Sequence, residues 1–321
     1  MRFRTFLSLL AAAVLAAGCG TPGDRVLALP LDHPPTEGDW AGAVALRVRA
    51  VGGRTTRAAG AAVDADSVHK ATASCHHGTK TPPVDLEVRA FYTQRDAFVR
   101  LVWSDPTPHR GPGWRWDGRG WRREGPGQDG AALLWGAAAE GFTCVRACHL
   151  EDFRMAGPRA FADYRMATPA GWGRLDLWEW KAGWGRPGGE ADDLSLGPGG
   201  REPDAPGDRF VENRVPEGGG PAEAPDPEPG ARAPAFLDRA DAPGRTEVKA
   251  EGRWRRGRWT VTFRRALRGS DPEDVRLDPG GVYPVGIALL DGVNEDHNAV
   301  PDPVLLWLVP RDRVVDTRPA P

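Results

Sequence analysis

The sequence predicts an all-β fold, a two-sheet antiparallel β-sandwich with long loops. Three observations lead there. The chain carries 41 glycines and 31 prolines, which break it into short segments. Those segments are rich in valine, leucine and tryptophan, and the clearest of them alternate apolar with polar residues, the period of a half-buried strand. No stretch holds a helical period of useful length, and no internal repeat is visible.

The N-terminus reads MRFRTFLSLLAAAVLAAGCG. Arg2 and Arg4 precede an apolar run from Phe6 to Ala17, and small residues follow. That is the pattern of a secretory signal, too short to span a bilayer. Ala16-Ala-Gly-Cys19 resembles a bacterial lipobox, so Cys19 is the expected lipidated residue. Residues 1–18 then form a signal peptide and 19–39 a polar, Pro-rich tether. The mature protein is expected to be exported, in the periplasm or anchored to the outer membrane by lipid. No other apolar run approaches the ~18 residues of a spanning helix. With 42 basic and 44 acidic residues the formal charge is −2, which does not suggest a nucleic-acid partner.

The remaining elements follow in order. Val44 to Val48 alternates and reads as a strand. VDLEVRAFYTQRDAFVRLVWSDPT (84–107) is the clearest β-hairpin, with its turn near Gln94 to Asp96. GAALLWG (130–136) and RLDLWEWKAGW (174–184) are further strand candidates, and EVKAEGRWRRGRWTVTFRRAL (247–267) gives two strands about a glycine turn. VYPVGIALLDG (282–292) and VLLWLVP (304–310) close a single domain spanning 40–310, with 311–321 as a tail. Residues 197–235, rich in Gly, Pro, Glu and Asp, read as a flexible loop.

Few residues carry distinctive chemistry. In TCVRACH (143–149), Cys144, Cys148 and His149 are one residue wider than the usual covalent haem motif. From spacing, a short disulfide, a haem attachment and an unpaired or metal-binding role all stay open. HKATASCHHG (69–78) gathers His69, Cys75, His76 and His77, four soft or borderline ligands, in what also reads as a polar surface loop. Met155 and Met166 are the methionines beyond the initiator, and a thioether is a good ligand for haem iron as well as ordinary packing material. His297 lies in a polar loop after a strongly apolar strand. Hydrolase motifs are missing: there is no Gly-x-Ser-x-Gly elbow and no His-Glu-x-x-His helix, and nothing fixes Ser195 beside Asp192 and Asp193. Trp114, Trp116 and Trp121 could instead form an aromatic platform for carbohydrate, and a structural lipoprotein without cofactor is a third reading.

Several blocks, in order, resemble the haem-binding domain of the ethylbenzene dehydrogenase gamma subunit and of cytochrome c-552-like proteins (the haem subunit of type II DMSO reductases). They are 84–107, GFTCVRACH (141–149), YRMATPAGWGRLDLWEWKAG (164–183), EADDLSL (190–196), GRWRRGRWTVTFRRAL (252–267), EDVRL (273–277) and VYPVGIALLDGVNEDH (282–297). The resemblance implies a β-sandwich with a haem pocket at one end that relays electrons and is not itself an enzyme. It implies b-type haem, with c-type as the alternative. It points to Met166 as one axial ligand. Where the family carries a lysine in the loop after the penultimate strand, this chain offers His297, which suggests a Met/His pair. His149, Met155 and His76 are the alternative ligands. Cys144 and Cys148 become a disulfide that shapes the pocket, and Trp178, Trp180, Lys181 and Trp184 its lining or backing. The implied partner is a redox protein such as a molybdenum oxidoreductase or a multihaem cytochrome.

Overall fold

The computed structural model describes residues 13–14, 25–50, 82–110, 113–124, 128–136, 173–183, 191–197, 200–203, 210–213, 215, 220–234, 236–238, 247–292, 297–300 and 302–315. The strands are β1 (Ala13–Val14), β2 (Arg25–Pro30), β3 (Leu46–Ala50), β4 (Val84–Tyr92), β5 (Asp96–Ser104), β6 (Trp114–Trp116), β7 (Trp121–Arg123), β8 (Gly130–Trp135), β9 (Leu175–Lys181) and β10 (Asp192–Gly197). They continue with β11 (Gly200–Pro203), β12 (Phe210–Glu212), β13 (Arg232–Ala233), β14 (Phe236–Asp238), β15 (Lys249–Trp254), β16 (Arg258–Ala266), β17 (Val282–Leu290), β18 (His297–Ala299), β19 (Val304–Leu308) and β20 (Val314–Val315). Among the described residues the α-helix α1 (Glu37–Gly42) carries a capping box between Thr36 and Asp39, and a 3-10 turn spans Arg311–Arg313.

Most strands join one curled sheet, ordered β11-β10-β9-β8-β17-β19-β2-β4-β5-β16-β15, with β18 added to β17 and β3 to β4. The fold is thus the expected all-β sandwich, but its two layers are halves of one continuous sheet folded over on itself. Pairing is antiparallel except where β2 runs parallel to both β19 and β4. The predicted hairpins are present. β4 and β5 pair from Leu86↔Trp103 to Tyr92↔Ala97. The β15–β16 turn places Arg256 at φ 52° and Gly257 at φ 75°, the two left-handed positions of a type I′ turn that follow the twist of the strands.

β2 corrects the tether expected over residues 19–39. Its Val26 and Ala28 are buried in the middle of the sheet, and α1 follows it. The short run Val-Leu-Ala-Leu was hidden by the prolines around it. Likewise, the loop expected over 197–235 contains β11, β12 and β13, and the tail from 311 contains β20.

Along β16 the alternation is strict: Trp259, Val261, Phe263 and Arg265 are buried between the layers. The other layer meets them with Trp178 and Trp180 from β9. Trp178 lies 6.5 Å from Phe263 and Trp180 sits edge-on to Trp259 at 5.1 Å. Gly252 on β15 makes room for this, because a Cβ there would overlap the Trp180 ring.

Arg265 breaks the apolar run. Its side chain is 0% exposed, in the middle of the sandwich. The guanidinium donates to Asp176 on β9 and to the Val275 carbonyl, lies 3.0 Å from Asp274, and covers the Trp178 ring at 4.8 Å. Asp193 on β10 completes a group of three buried carboxyls, and it accepts from the amides of Glu247 and Val248 at 2.8 and 3.1 Å. One guanidinium among three carboxyls leaves an excess of negative charge in a poorly solvated space. Burial accordingly pushes Asp176 up to about 7 and Asp274 up to about 6, against the pull of Arg265, and raises Asp193 as well.

Two outcomes follow. Arg265→Met removes the counter-charge from buried carboxylates and should cost about 3–5 kcal/mol in denaturant unfolding at neutral pH. A carboxyl with a raised folded pKa holds its proton more tightly in the fold. Its contribution to stability is full below the unfolded value of 3.8 and is lost as pH rises through about 6 for Asp274 and about 7 for Asp176. The stability advantage of the wild type over Asp274→Asn should therefore shrink between pH 5 and pH 8, measured by urea unfolding at each pH.

Candidate functional site

Residue alternation gives β8, β9 and β10 a second face, directed away from the inter-layer core. Leu134, Leu175, Leu177, Leu194 and Leu196 form a separate buried apolar cluster on it. Its cross-strand rows follow from the register. One row runs Asp192, Glu179, Ala132, Ala288, Ala299 across β10, β9, β8, β17 and β18. The row beside it runs Leu194, Leu177, Leu134, Gly286. The row on the other side runs Lys181, Gly130, Leu290, His297. Alanine and glycine thus fill the middle of the face while leucines flank it. Ala132 and Ala288, paired with each other, are only half-buried. The centre of the face is thus built from small side chains.

Lys181 stands at the end of this face. It is 8% exposed, with Nζ 3.0 Å from Glu179 Oε2 and 4.0 Å from Asp192 Oδ2. The two carboxylates fix its position through ion pairing. Trp178 and Trp180 lie on the opposite side of β9, in the inter-layer core, with Trp178 fully buried between Trp135 and Phe263. They back the face through the strand and do not form its surface.

His297 begins β18 opposite Leu290, level with Gly130 and Lys181. The connection that carries the other candidate ligands leaves β8 after Trp135 and rejoins at β9, where Trp135 pairs with Asp176. From Gly130 to Trp135 the sheet runs five residues, about 17 Å at ~3.4 Å per residue. His149, Met155, Met166, Cys144 and Cys148 lie outside the described residues, as do Cys19, Cys75, His76 and Trp184.

A second cluster sits at the Lys181 end and was not singled out from the sequence. Asp129, 0% exposed, immediately precedes β8. Its Oδ2 accepts from the His109 amide at 2.7 Å and from Trp259 Nε1 at 2.9 Å, and its Oδ1 accepts from the Gly292 amide at 2.8 Å. Its own amide donates to the His109 carbonyl, and its carbonyl accepts from Ala182. This carboxylate therefore ties β8, β9, β16, the end of β17 and the loop carrying His109 into one corner. His109 Nδ1 lies 3.3 Å from Asp129 and 3.5 Å from Asp291. Burial raises the pKa of Asp291, and burial together with the charge of Asp129 pushes Asp105 up to about 6. Only the dipeptides Gln128-Asp129 and Asp291-Gly292 at strand ends hinted at this corner, and such pairs are common turn signals.

The aromatic platform is not assembled. Trp114 is buried, with its Nε1 donating to the Asn213 carbonyl at 2.7 Å. Trp116 and Trp121 meet edge-on, their planes 67° apart, and present no common flat surface.

The fold is an all-β sandwich with a second apolar cluster on the outward side of β8, β9 and β10. A family model described as ethylbenzene dehydrogenase matches residues 37–299. The chain belongs to the ethylbenzene dehydrogenase family, as its sequence blocks implied. No curated protein matches it. Among solved structures, a family 9 carbohydrate-binding module from Caldicellulosiruptor kristjanssonii in complex with glucose is similar at 8% identity and a TM-score of 0.35, covering 92% of this chain and 100% of that one. The same module in complex with cellotriose gives 8% identity and a TM-score of 0.35, covering 92% and 98%.

Asp129→Ala should strand the buried Trp259 N–H and the His109 and Gly292 amides. A loss of about 2–4 kcal/mol is expected, read as a lower urea midpoint with an unchanged slope.

Proposed function

We propose that the chain is an exported, non-catalytic haem-binding subunit that relays electrons. The observation that carries this reading is the alanine- and glycine-lined face of β8, β17 and β18 with its leucine flanks. The residues present fit a macrocycle: over β8, β17 and β18 the face is apolar and small where Ala132, Ala288 and Ala299 align, with Glu179, Asp192 and Lys181 at its β9–β10 edge. Family membership supports the same reading.

In this proposal Met166 and His297 hold the iron and the haem is b-type. Met166 is seven residues before Gly173, where the described chain resumes. Counted from Leu175, which starts β9 nine residues after Met166, nine extended residues reach about 30 Å at ~3.3 Å each, enough to cover the ~20 Å from Leu175 to Lys181, level with His297. His149, Met155 and His76 remain the alternative ligands, and Cys144 and Cys148 a disulfide. Bound haem supplies one-electron chemistry. The chain's own residues exclude water through the leucines, keep the sheet rigid behind the ring through Trp178 and Trp180, and hold a fixed cation at its edge through Lys181. The redox partner is of the molybdenum oxidoreductase or multihaem cytochrome kind. Lipid on Cys19 would anchor the chain, and since β2 starts at Arg25, only the five residues 20–24, about 20 Å of extended chain from Cys19 to Arg25, separate lipid from sheet.

Purified protein supplied with haem should show a Soret band, and acid-acetone should extract the haem. Met166→Ala should keep haem while lowering its potential, because thioether sulfur favours ferrous iron, and should open a carbon monoxide site. His297→Ala should weaken haem retention more. Absence of a Soret band refutes the haem reading, and haem that stays with denatured polypeptide refutes the b-type assignment. Cys19→Ser should move the protein from the membrane to the soluble fraction; a wild type already soluble refutes the anchor.

A further inference from the structure

We propose that the corner formed by His109, Asp129, Asp291 and Asp105 is a binding site for a divalent transition-metal ion, separate from the haem face. The first argument is spacing. His109 Nδ1 lies 3.3 Å from Asp129 Oδ1 and 3.5 Å from Asp291 Oδ1. One ligand atom from each of the three residues falls within 4.8 Å of the others. Charge-assisted hydrogen bonds between imidazolium and carboxylate close to about 2.7–2.9 Å. These contacts are longer. They match instead the edges of a tetrahedron about a metal bonded at about 2.0–2.2 Å, which measure roughly 3.3–3.6 Å.

The second argument is independent of that trio. Asp105 is 3% exposed. Its Oδ1 accepts from the Thr107 amide at 2.9 Å, but its Oδ2 is buried with no hydrogen-bond partner. The carboxyl lies against that of Asp129 and within the field of His109. An unpartnered buried carboxylate oxygen beside another carboxylate is costly unless a proton or a cation sits between them. Two acids and one imidazole supply a mixed oxygen and nitrogen donor set, with the Asp105 carboxyl beside Asp129. That set suits zinc or manganese better than calcium, which takes oxygen ligands.

Second-shell order is already in place. Asp129 is oriented by the His109 and Gly292 amides and by Trp259 Nε1, which leaves one lone pair of Oδ1 facing His109. Asp291 and His109 are partly exposed, with side chains 39% and 26% accessible, so an ion can enter from solvent. Metal ligands must be deprotonated to bind, so affinity should fall as pH drops. The contrast with the Asp176, Asp193 and Asp274 group is instructive: there the Arg265 guanidinium already supplies the positive charge.

The test uses purified full-length protein stripped with EDTA, and then zinc, manganese or calcium chloride. Calorimetry and thermal unfolding should report a site for zinc or manganese and a rise of several degrees in Tm. Asp291→Asn and His109→Gln, both at accessible positions, should each weaken that site at least tenfold, as should lowering the pH from 7.5 to 5.5. Zinc held by the Cys75/His76/His77 segment would be unaffected by these variants, so binding that survives both overturns the proposal. A response to calcium alone, or to no metal, overturns it too.

Discussion

The two halves of the curled sheet are joined through one buried cation. Arg265 projects from β16 into the inter-layer space and engages Asp176 of β9, Asp274 and the Val275 carbonyl of the following loop, and the face of Trp178. Dispersion and apolar burial between Trp178, Trp180, Trp259 and Phe263 close the layers, but such packing tolerates sliding. A guanidinium with its partners on another strand does not, because a shift by one residue would leave buried charges unpaired. The position of β9 relative to β16 is thereby fixed, and with it both faces of β9.

That constraint explains how one strand serves two purposes. The inward residues Asp176, Trp178 and Trp180 lock the sandwich. The outward residues Leu175, Leu177, Glu179 and Lys181 contribute to the second face and end in the Lys181 ion pairs. All seven residues of β9 are buried, which is unusual for an antiparallel strand and reflects a face on each side. The Asp129 corner repeats the principle on a smaller scale. A buried carboxylate gathers donors from several segments and holds the ends of β8 and β17 together.

Much of this was legible in the sequence. The β4–β5 and β15–β16 hairpins announce themselves by alternation and turn chemistry, and the ordered Trp-x-Trp-Lys and Gly-Arg-Trp blocks indicate the family. β2 was not legible, because a short apolar run among prolines reads as a linker until its neighbours in the sheet are known. Nor was the role of Arg265: in Phe-Arg-Arg-x-Leu, two adjacent arginines look alike, and only strand parity sends Arg264 outward and Arg265 into the core. His109, Asp129 and Asp291 are far apart in sequence and carry no motif, so their convergence depends wholly on sheet topology. Trp178 and Trp180 were expected to line or back a pocket, and strand parity directs both into the inter-layer core.

The central claim is that the small-residue face of β8 and β17 receives the haem. The most direct measurement is a haem titration followed in the Soret region on wild-type protein and on Ala288→Trp, which fills the half-buried centre of that face and replaces no candidate ligand. The account predicts saturable binding of one haem per chain in the wild type, and at least tenfold weaker binding in a variant whose far-ultraviolet circular dichroism is unchanged. Equal binding by both proteins would contradict it.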